Sequence, residues 1–397
     1  MTTQQRRAWT EADWTDFVHT GPDTLAGQYL RLFWHPIMRS DDLPTGRAKP
    51  IRIMSEDLTL YRGEDGTPHC VAFRCAHRGT QLSTGWVEGN NIRCFYHGWM
   101  YGPDGQCVEQ PAEPEPFCQR IKIRSYPAEE YIGLIFLYMG DGDPPPMYRF
   151  PQLDDGKYLE VNRFPIWPCS FWNRQENDPV HVAFVHREGP HGQIGLVEPP
   201  RVWAEETPYG MAVHEITPGG IESTGHRLMP AMTQFIAPDG SQNVGWKVPI
   251  DDTHCIHPVV RAIPLDKLEA YQTRRGNQRS GQGMVSPTEV GEAVLRGEKD
   301  VHDPSLSEIT NIVNVQDYAS MVGQGSIPDF AHEHLGQSDN SMIFWRRLWA
   351  RELRALAEGR PLKQWTQSIH LTSERHFTDA SRGDVPTTTG LGVLGAR

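Results

Sequence analysis

Cys75-Ala-His77 and, after sixteen intervening residues, Cys94-Phe-Tyr-His97 decide how this chain is to be read. Two thiolates and two imidazoles in a C-x-H…C-x-x-H pattern are the ligand set of a Rieske [2Fe–2S] cluster. One iron takes the two cysteine sulfurs, the other two neutral histidine nitrogens. Replacing two anionic ligands by neutral ones raises the reduction potential, so the cluster can accept an electron from a ferredoxin-type donor and pass it on. Zinc also uses Cys₂His₂ sets, but it groups its ligands as C-x₂₋₄-C and H-x₃₋₅-H, whereas here Cys and His alternate. Absorbance and EPR separate the two, because a zinc protein is colourless. Gly79 and Gly98 sit where both loops need tight turns.

Outward from these loops, short apolar runs punctuated by Gly and Pro fill residues 27–140. Ile51-Arg-Ile-Met54, Leu58-Thr-Leu-Tyr61, His69-Cys-Val-Ala-Phe73 and Ile121-Lys-Ile-Arg124 read as strands of a small all-β unit. Gly140-Asp-Gly-Asp-Pro-Pro-Pro146 is the clearest linker. Beyond it, strand patterns at Tyr158–Phe164, Gly210–Ile216, Gln242–Val248 and Val259–Leu265 mix with helical ones. Gln272–Gly283 is polar and Gly-rich and reads as a loop. Ser338–Glu358 reads as a long helix, stopped by Gly359 and Pro361, with Arg346, Arg347, Arg351 and Arg354 on a solvated face.

The 397 residues suffice for two or three domains. A net charge of −12, with no Lys/Arg run longer than two, argues against a nucleic-acid partner. Five of the seven cysteines (Cys70, Cys107, Cys118, Cys169, Cys255) lie outside the cluster motif in no disulfide-rich spacing, which fits a reducing cytoplasm. The N-terminal segment shows no apolar signal-peptide core, and no apolar run is long enough to span a bilayer.

A second constellation is Asp178-Pro-Val-His181-Val-Ala-Phe-Val-His186. A 2-His-1-carboxylate non-haem Fe(II) site needs two neutral imidazoles and one anion, with positions left open. Five residues apart, the two histidines are turned by about 140° in a straight helix, so the helix must end or bulge between them to share a metal. Asp178, three residues before His181, can lie beside it or cap a helix beginning at Pro179. The third ligand must come from afar. Ile309, Ile312, Val313, Asp317, Ser320 and Met321 follow helical spacing with Asp317 on the apolar side; Glu308, Asp329 and Glu333 are competing acids.

Cys-Ala-His-Arg-Gly (75–79), Cys-Phe-Tyr-His-Gly-Trp (94–99) and Gly133-Leu-Ile-Phe-Leu-Tyr-Met-Gly140 resemble the cluster domain of Rieske non-haem iron oxygenases. Gln324-Gly-Ser-Ile, Glu333-His-Leu-Gly-Gln-Ser-Asp339 and Trp246-Lys-Val-Pro-Ile-Asp-Asp-Thr-His254 resemble the phthalate dioxygenase and aromatic O-demethylase branch. Phe330 departs from that branch, which commonly has Arg there. The resemblance implies an α+β protein: an N-terminal helical segment (1–26) packing on the catalytic domain, a small all-β Rieske domain (27–145), and an α+β catalytic domain (146–397) with an antiparallel sheet flanked by helices. It implies that Cys75, His77, Cys94 and His97 hold the cluster. His181, His186 and Asp317 would then hold a mononuclear Fe(II), and Asp178 would bridge His181 to His97 of the next chain in a head-to-tail homotrimer.

It further implies a terminal oxygenase that uses O₂ to dihydroxylate, or to hydroxylate and O-demethylate, a small aromatic substrate such as an aromatic acid or methoxy-aromatic. Electrons from NAD(P)H would arrive indirectly, through a separate reductase or ferredoxin, since the chain carries no dinucleotide fingerprint. An electron carrier without oxygenase activity is the alternative, but it leaves the second half of the chain idle. For an acidic substrate, Arg201, Arg227, Lys247 and Arg261 are the candidate cations, though each also fits a surface or structural charge.

Overall fold

The computed structural model describes residues 9–154, 157–177, 179–186, 199–217, 220–237, 240–279, 285–366 and 376–377. Asp178 falls outside them.

Three small antiparallel sheets form the N-terminal β unit. One has the order Trp34–Arg39, Leu134–Tyr138, Ala128–Tyr131. Its central strand is buried at all five positions, so Leu-Ile-Phe-Leu-Tyr reads as a continuous apolar run rather than an alternating one. The second orders Ala48–Ile53, Glu56–Arg62, Pro68–Ala72 and Ser125–Tyr126. The third orders Trp86–Glu88, Asn91–Arg93, Met100–Tyr101 and Cys107–Glu109. The strand expected at Ile121–Arg124 is reduced to a single bridge between Lys122 and Gln106, and pairing resumes at Ser125.

The catalytic portion is built on an antiparallel sheet whose spatial order is Tyr158–Val161, Val259–Ile263, Gln242–Trp246, Met232–Ile236, Ile221–Leu228, Gly210–Ile216 and Arg201–Thr207. Helices Phe171–Gln175, Pro287–Leu295, Ile312–Val322 and Asn340–Ala357 accompany it. The N-terminal helices Glu11–Trp14 and Leu25–Leu30 pack on Asn340–Ala357, where Phe17 stacks on Trp172 at 4.6 Å. Leu268–Arg279 is helical, so the stretch Gln272–Arg279 is not the loop its polar composition suggested.

The two portions share one hydrophobic core, in which Phe136 meets Trp246 edge-on at 5.7 Å. The Pro-rich run does not separate them. Pro145 accepts a hydrogen bond from Trp34 Nε1 at 2.9 Å, and the hydroxyl of the following Tyr148 accepts one from Trp246 Nε1 at 2.7 Å. The hairpin tip Met54-Ser55, both at positive φ (47° and 63°), docks on the catalytic portion: their N–H groups donate to Pro249 and Ile250. Left-handed φ is costly in a non-glycine residue, and these long-range bonds offset that cost.

Asn340–Ala357 buries Phe344, Trp345, Leu348, Trp349 and Leu353. Its arginines are not simply a solvated face. Arg346 is largely buried and pairs with Glu176 (2.5 Å) and Glu333 (2.6 Å), while Arg351 pairs with Glu206 at 2.8 Å. Phe330 lies 4.5 Å under the Arg346 guanidinium, so the position where the branch commonly has Arg supports a cation–π contact.

Candidate metal centres

The two cluster loops are built the same way although their histidines are offset by one residue. Cys75 N–H donates to Thr80 O and Gly79 N–H to Cys75 O; Cys94 N–H donates to Trp99 O and Gly98 N–H to Cys94 O. Each turn is closed by a glycine at positive φ, +77° at Gly79 and +75° at Gly98. The result brings His77 and His97 together with ring centroids 4.6 Å apart, over buried Cys75 and Cys94. Trp99 stacks on His77 at 4.7 Å and 8°, fixing the ring plane. Tyr101 hydroxyl reaches Cys75 Sγ and the Ala76 N–H, both at 3.1 Å. His77 Nδ1 is buried without a hydrogen-bond partner. Two thiols, two imidazoles and an orphaned ring nitrogen fit a [2Fe–2S] cluster with mixed ligation.

His181, His186 and Asp317 also come together, each offering one ligand atom within 4.8 Å of the others. The histidines meet because the chain makes a 3₁₀ turn over Pro179–Ala183 and then leaves it, with Val185 N–H and Phe184 N–H both donating to His181 O. Asp317 lies on helix Ile312–Val322, which Asn311 caps. Its Oδ1 is 3.6 Å from His181 Nε2 and 3.4 Å from His186 Nε2, yet is buried and accepts no hydrogen bond. Ligand atoms about 2.1 Å from one ion at right angles sit roughly 3 Å apart, so this spacing suits a shared metal. Gln316 Oε1 accepts from His186 Nδ1 at 2.9 Å, which leaves the Nε2 lone pair free for a metal.

Electrostatics agree with an anionic ligand set. Burial raises the Asp317 pKa, but His186, Arg174 and His181 outweigh that and hold it below the usual carboxylate range. Burial lowers the His186 pKa, and the contacts with Asp317 and Gln316 more than reverse it. Of the competing acids, Glu333 is spent on Arg346, and Asp329 pairs with exposed His332.

Long-range bonds hold the segment carrying the histidines. Asn173 Nδ2 donates to Met321 O and Gly325 O, and Ser170 N–H donates to Ser326 O. Arg227 reaches from the sheet to Gln175 O and Asn177 O, the latter at 2.8 Å. It is therefore a structural clamp, one of the two readings its sequence allowed.

Asp317 opens on a cleft of about 1110 Å³ between the sheet and these helices. Its lining is mostly polar, including Asn162, Arg163, Arg174, Asn243, His257 and Arg261, with Phe164, Trp167, Phe235 and Val259 supplying apolar surface. Arg261 was among the cations read from sequence; Arg174, His257 and Gln316 were not. Only the adjacency of Gln316 to Asp317 hinted at its role.

Residues 33–127 match the Rieske [2Fe-2S] domain model. The α subunit of phenoxybenzoate dioxygenase from Ectopseudomonas oleovorans is 31% identical over 365 residues, covering 85% of this chain and 83% of that one. The chain belongs to the Rieske non-haem iron oxygenases. The oxygenase subunit of 5,5'-dehydrodivanillate O-demethylase from Sphingobium sp. (strain NBRC 103272 / SYK-6) is 28% identical over 85% of this chain and 79% of that one. A solved reduced complex between oxygenase and ferredoxin in carbazole 1,9a-dioxygenase shares the fold, with a TM-score of 0.60, 20% identity, and coverage of 89% and 96%. The similarity extends through the catalytic portion, so this is an oxygenase component and not an electron carrier alone. Its cofactors are a Rieske [2Fe–2S] cluster and a mononuclear iron. Among the described residues no helix is long and apolar enough to cross a membrane.

Proposed function

We propose that the protein is the terminal oxygenase of a multicomponent system that oxygenates a small aromatic substrate. The observation that carries this reading is the convergence of His181, His186 and Asp317, with Asp317 opening on a cleft whose lining includes Phe164, Trp167 and Phe235. Cys75, His77, Cys94 and His97 would hold the cluster and the triad would hold iron. When bound, the cluster supplies single electrons and the iron supplies O₂ activation. The chain's own residues do the rest. Gln316 holds the His186 tautomer, Arg227 and Asn173 fix the ligand segment, and Phe164, Trp167 and Phe235 offer apolar surface to an aromatic ring.

Electrons come from a separate reductase or ferredoxin, as the carbazole dioxygenase complex supports. Residues 27–145 would form the electron-accepting domain and 146–397 the catalytic one. The likeness to a phenoxybenzoate dioxygenase and to an O-demethylase supports ring dihydroxylation or O-demethylation. A head-to-tail homotrimer, with Asp178 linking His181 to His97 of the next chain, is favoured by exposed Phe95, Tyr96 and Trp86 beside His97. Exposed aromatics of this kind suit coverage by another subunit. A cytoplasmic location fits seven cysteines that are all free.

The test is O₂ consumption and product analysis with reductase, NADH and a panel of aromatic acids and methoxy-aromatics. Oxygenated product should form with at least one. Uncoupled NADH oxidation with no aromatic product from any of them would refute the reading.

A further inference from the structure

Setting aside the two cluster ligands leaves five cysteines, and packing sorts four of them into two thiol pairs. Cys107 meets Cys118 side chain to side chain, and Cys169 meets Cys255. Cys70, buried in strand Pro68–Ala72, belongs to neither pair.

Backbone bonds set the first pair. Cys107 N–H donates to Ile121 O, and Ile121 N–H donates to Cys118 O, both at 3.0 Å. Gln106 Nε2 reaches Cys118 O at 2.7 Å and Ile121 O at 2.9 Å. The strand carrying Cys107 and the turn carrying Cys118 are thus joined side by side. Both thiols pack on the small core beneath the cluster loops.

Between them runs a loop rich in Pro and Glu, mostly exposed over residues 111–117. Its two ends rest on the cluster loops. Pro111 Cγ lies 2.8 Å from where a Cβ on Gly98 would be, and Phe117 meets Trp99 edge-on at 5.5 Å. Trp99 in turn stacks on His77. The loop is drawn shut by Gln110 Oε1, which accepts from Phe117 N–H at 2.7 Å. A covalent link between Cys107 and Cys118 would close its base and restrain both ends.

The two pairs differ in access. Cys118 is partly exposed, whereas Cys169 and Cys255 are both fully buried. Cys255 holds the Cys169 thiol below its ordinary value, but no solute can reach either sulfur. Burial, then the Cys118 sulfur, push the Cys107 thiol up to about 12, so Cys107 stays protonated at neutral pH. An oxidant in solution therefore meets Cys118 first, with a second thiol waiting behind it.

We propose that Cys107 and Cys118 form a reversible disulfide when the protein meets hydrogen peroxide, stapling the 110–117 loop over the cluster. Cys118 Sγ attacks the O–O bond, giving a sulfenic acid and one water. Cys107 Sγ then attacks that sulfur, forming the S–S bond, and its proton leaves with the sulfenic hydroxyl as a second water. The two sulfurs lose the two electrons that the peroxide gains. The stapled loop keeps Phe117 on Trp99 and Pro111 over Gly98, which slows the access of peroxide to the cluster.

The test uses the holoprotein freed of reductant. It is treated with stoichiometric hydrogen peroxide while the cluster absorbance is followed, then blocked with N-ethylmaleimide in denaturant, digested and mapped by mass spectrometry. A disulfide between Cys107 and Cys118 should appear before the cluster spectrum falls, and dithiothreitol should reverse it. Cys169 and Cys255 should both be recovered as blocked thiols. In Cys107→Ala, Cys118 should stop at the sulfenic acid and be captured by dimedone. In Cys118→Ser, Cys107 should stay reduced, and excess peroxide should bleach the cluster about threefold faster than in wild type, because the unlinked loop opens more freely. Turnover before peroxide should be unchanged in both variants. A linkage that involves Cys75 or Cys94, or that forms only after the cluster is lost, overturns the inference. So does oxidation of Cys169 and Cys255 ahead of Cys118, or equal bleaching of wild type and Cys118→Ser.

Discussion

The two metal centres are assembled by opposite means. The cluster ligands lie within residues 75–97, on two turns that repeat the same backbone bonds and sit on their own small core of Tyr61, Val71, Leu82, Ile92, Trp99 and Tyr101. The iron triad draws on a 3₁₀ turn at 179–183 and a helix that places Asp317 131 residues after His186. It is held by bonds of long sequence separation, Asn173 to Met321, Ser170 to Ser326 and His186 to Gln316. A locally built site tolerates damage elsewhere. A site built from distant segments responds to any change that lets those segments drift.

The largest effects should break the two sites independently. His77→Ala should abolish the visible cluster spectrum and turnover while leaving mononuclear iron in place; loss of both metals together would show that the sites are not separately built. Next comes Asp178→Asn, argued from sequence alone. Both metals should be retained, while turnover falls about 100-fold or more because an amide is a poorer acceptor between two imidazoles. Full turnover in that variant would remove Asp178 from the electron path.

Gln316→Leu sharpens the comparison at the level of one bond. Losing the acceptor on His186 Nδ1 should weaken iron affinity about 10–100-fold without altering the cluster spectrum. Unchanged affinity in a chelator competition would contradict this.

A last effect, on stability and not on a metal site, concerns the shared core. His35 Nε2–H donates to Leu30 O at 2.7 Å, and burial lowers the His35 pKa from 6.5 to about 4. A depressed histidine pKa means that the unfolded chain takes up the proton first. Stability is then intact above pH 6.5 and falls as pH drops from 6.5 toward 4, by about 3 kcal/mol if the whole shift is realised. Denaturant titrations across that window should show the loss, smaller in His35→Gln, with cluster bleaching and catalytic-domain unfolding coinciding. A flat profile, or two separate transitions, would contradict a common core.

The same contrast governs what the sequence disclosed. The cluster motif, both turn glycines and the strand Gly210–Ile216 were legible because local spacing and alternation determine them. His181 and His186 were legible as a pair with a break between them. Asp317 stood out only through helical spacing and resemblance, since nothing local brings it to the histidines. Arg346 was misread for the same reason, because its partners Glu176 and Glu333 lie on other elements.

The central claim is that one chain holds two independent iron sites, the second formed by His181, His186 and Asp317. Iron quantitation with EPR on wild type and Asp317→Ala tests it most directly. Wild type should hold about three irons per chain and oxygenate substrate; Asp317→Ala should hold about two, with an unchanged Rieske signal and no oxygenated product. Three irons and sustained turnover in Asp317→Ala would contradict the account.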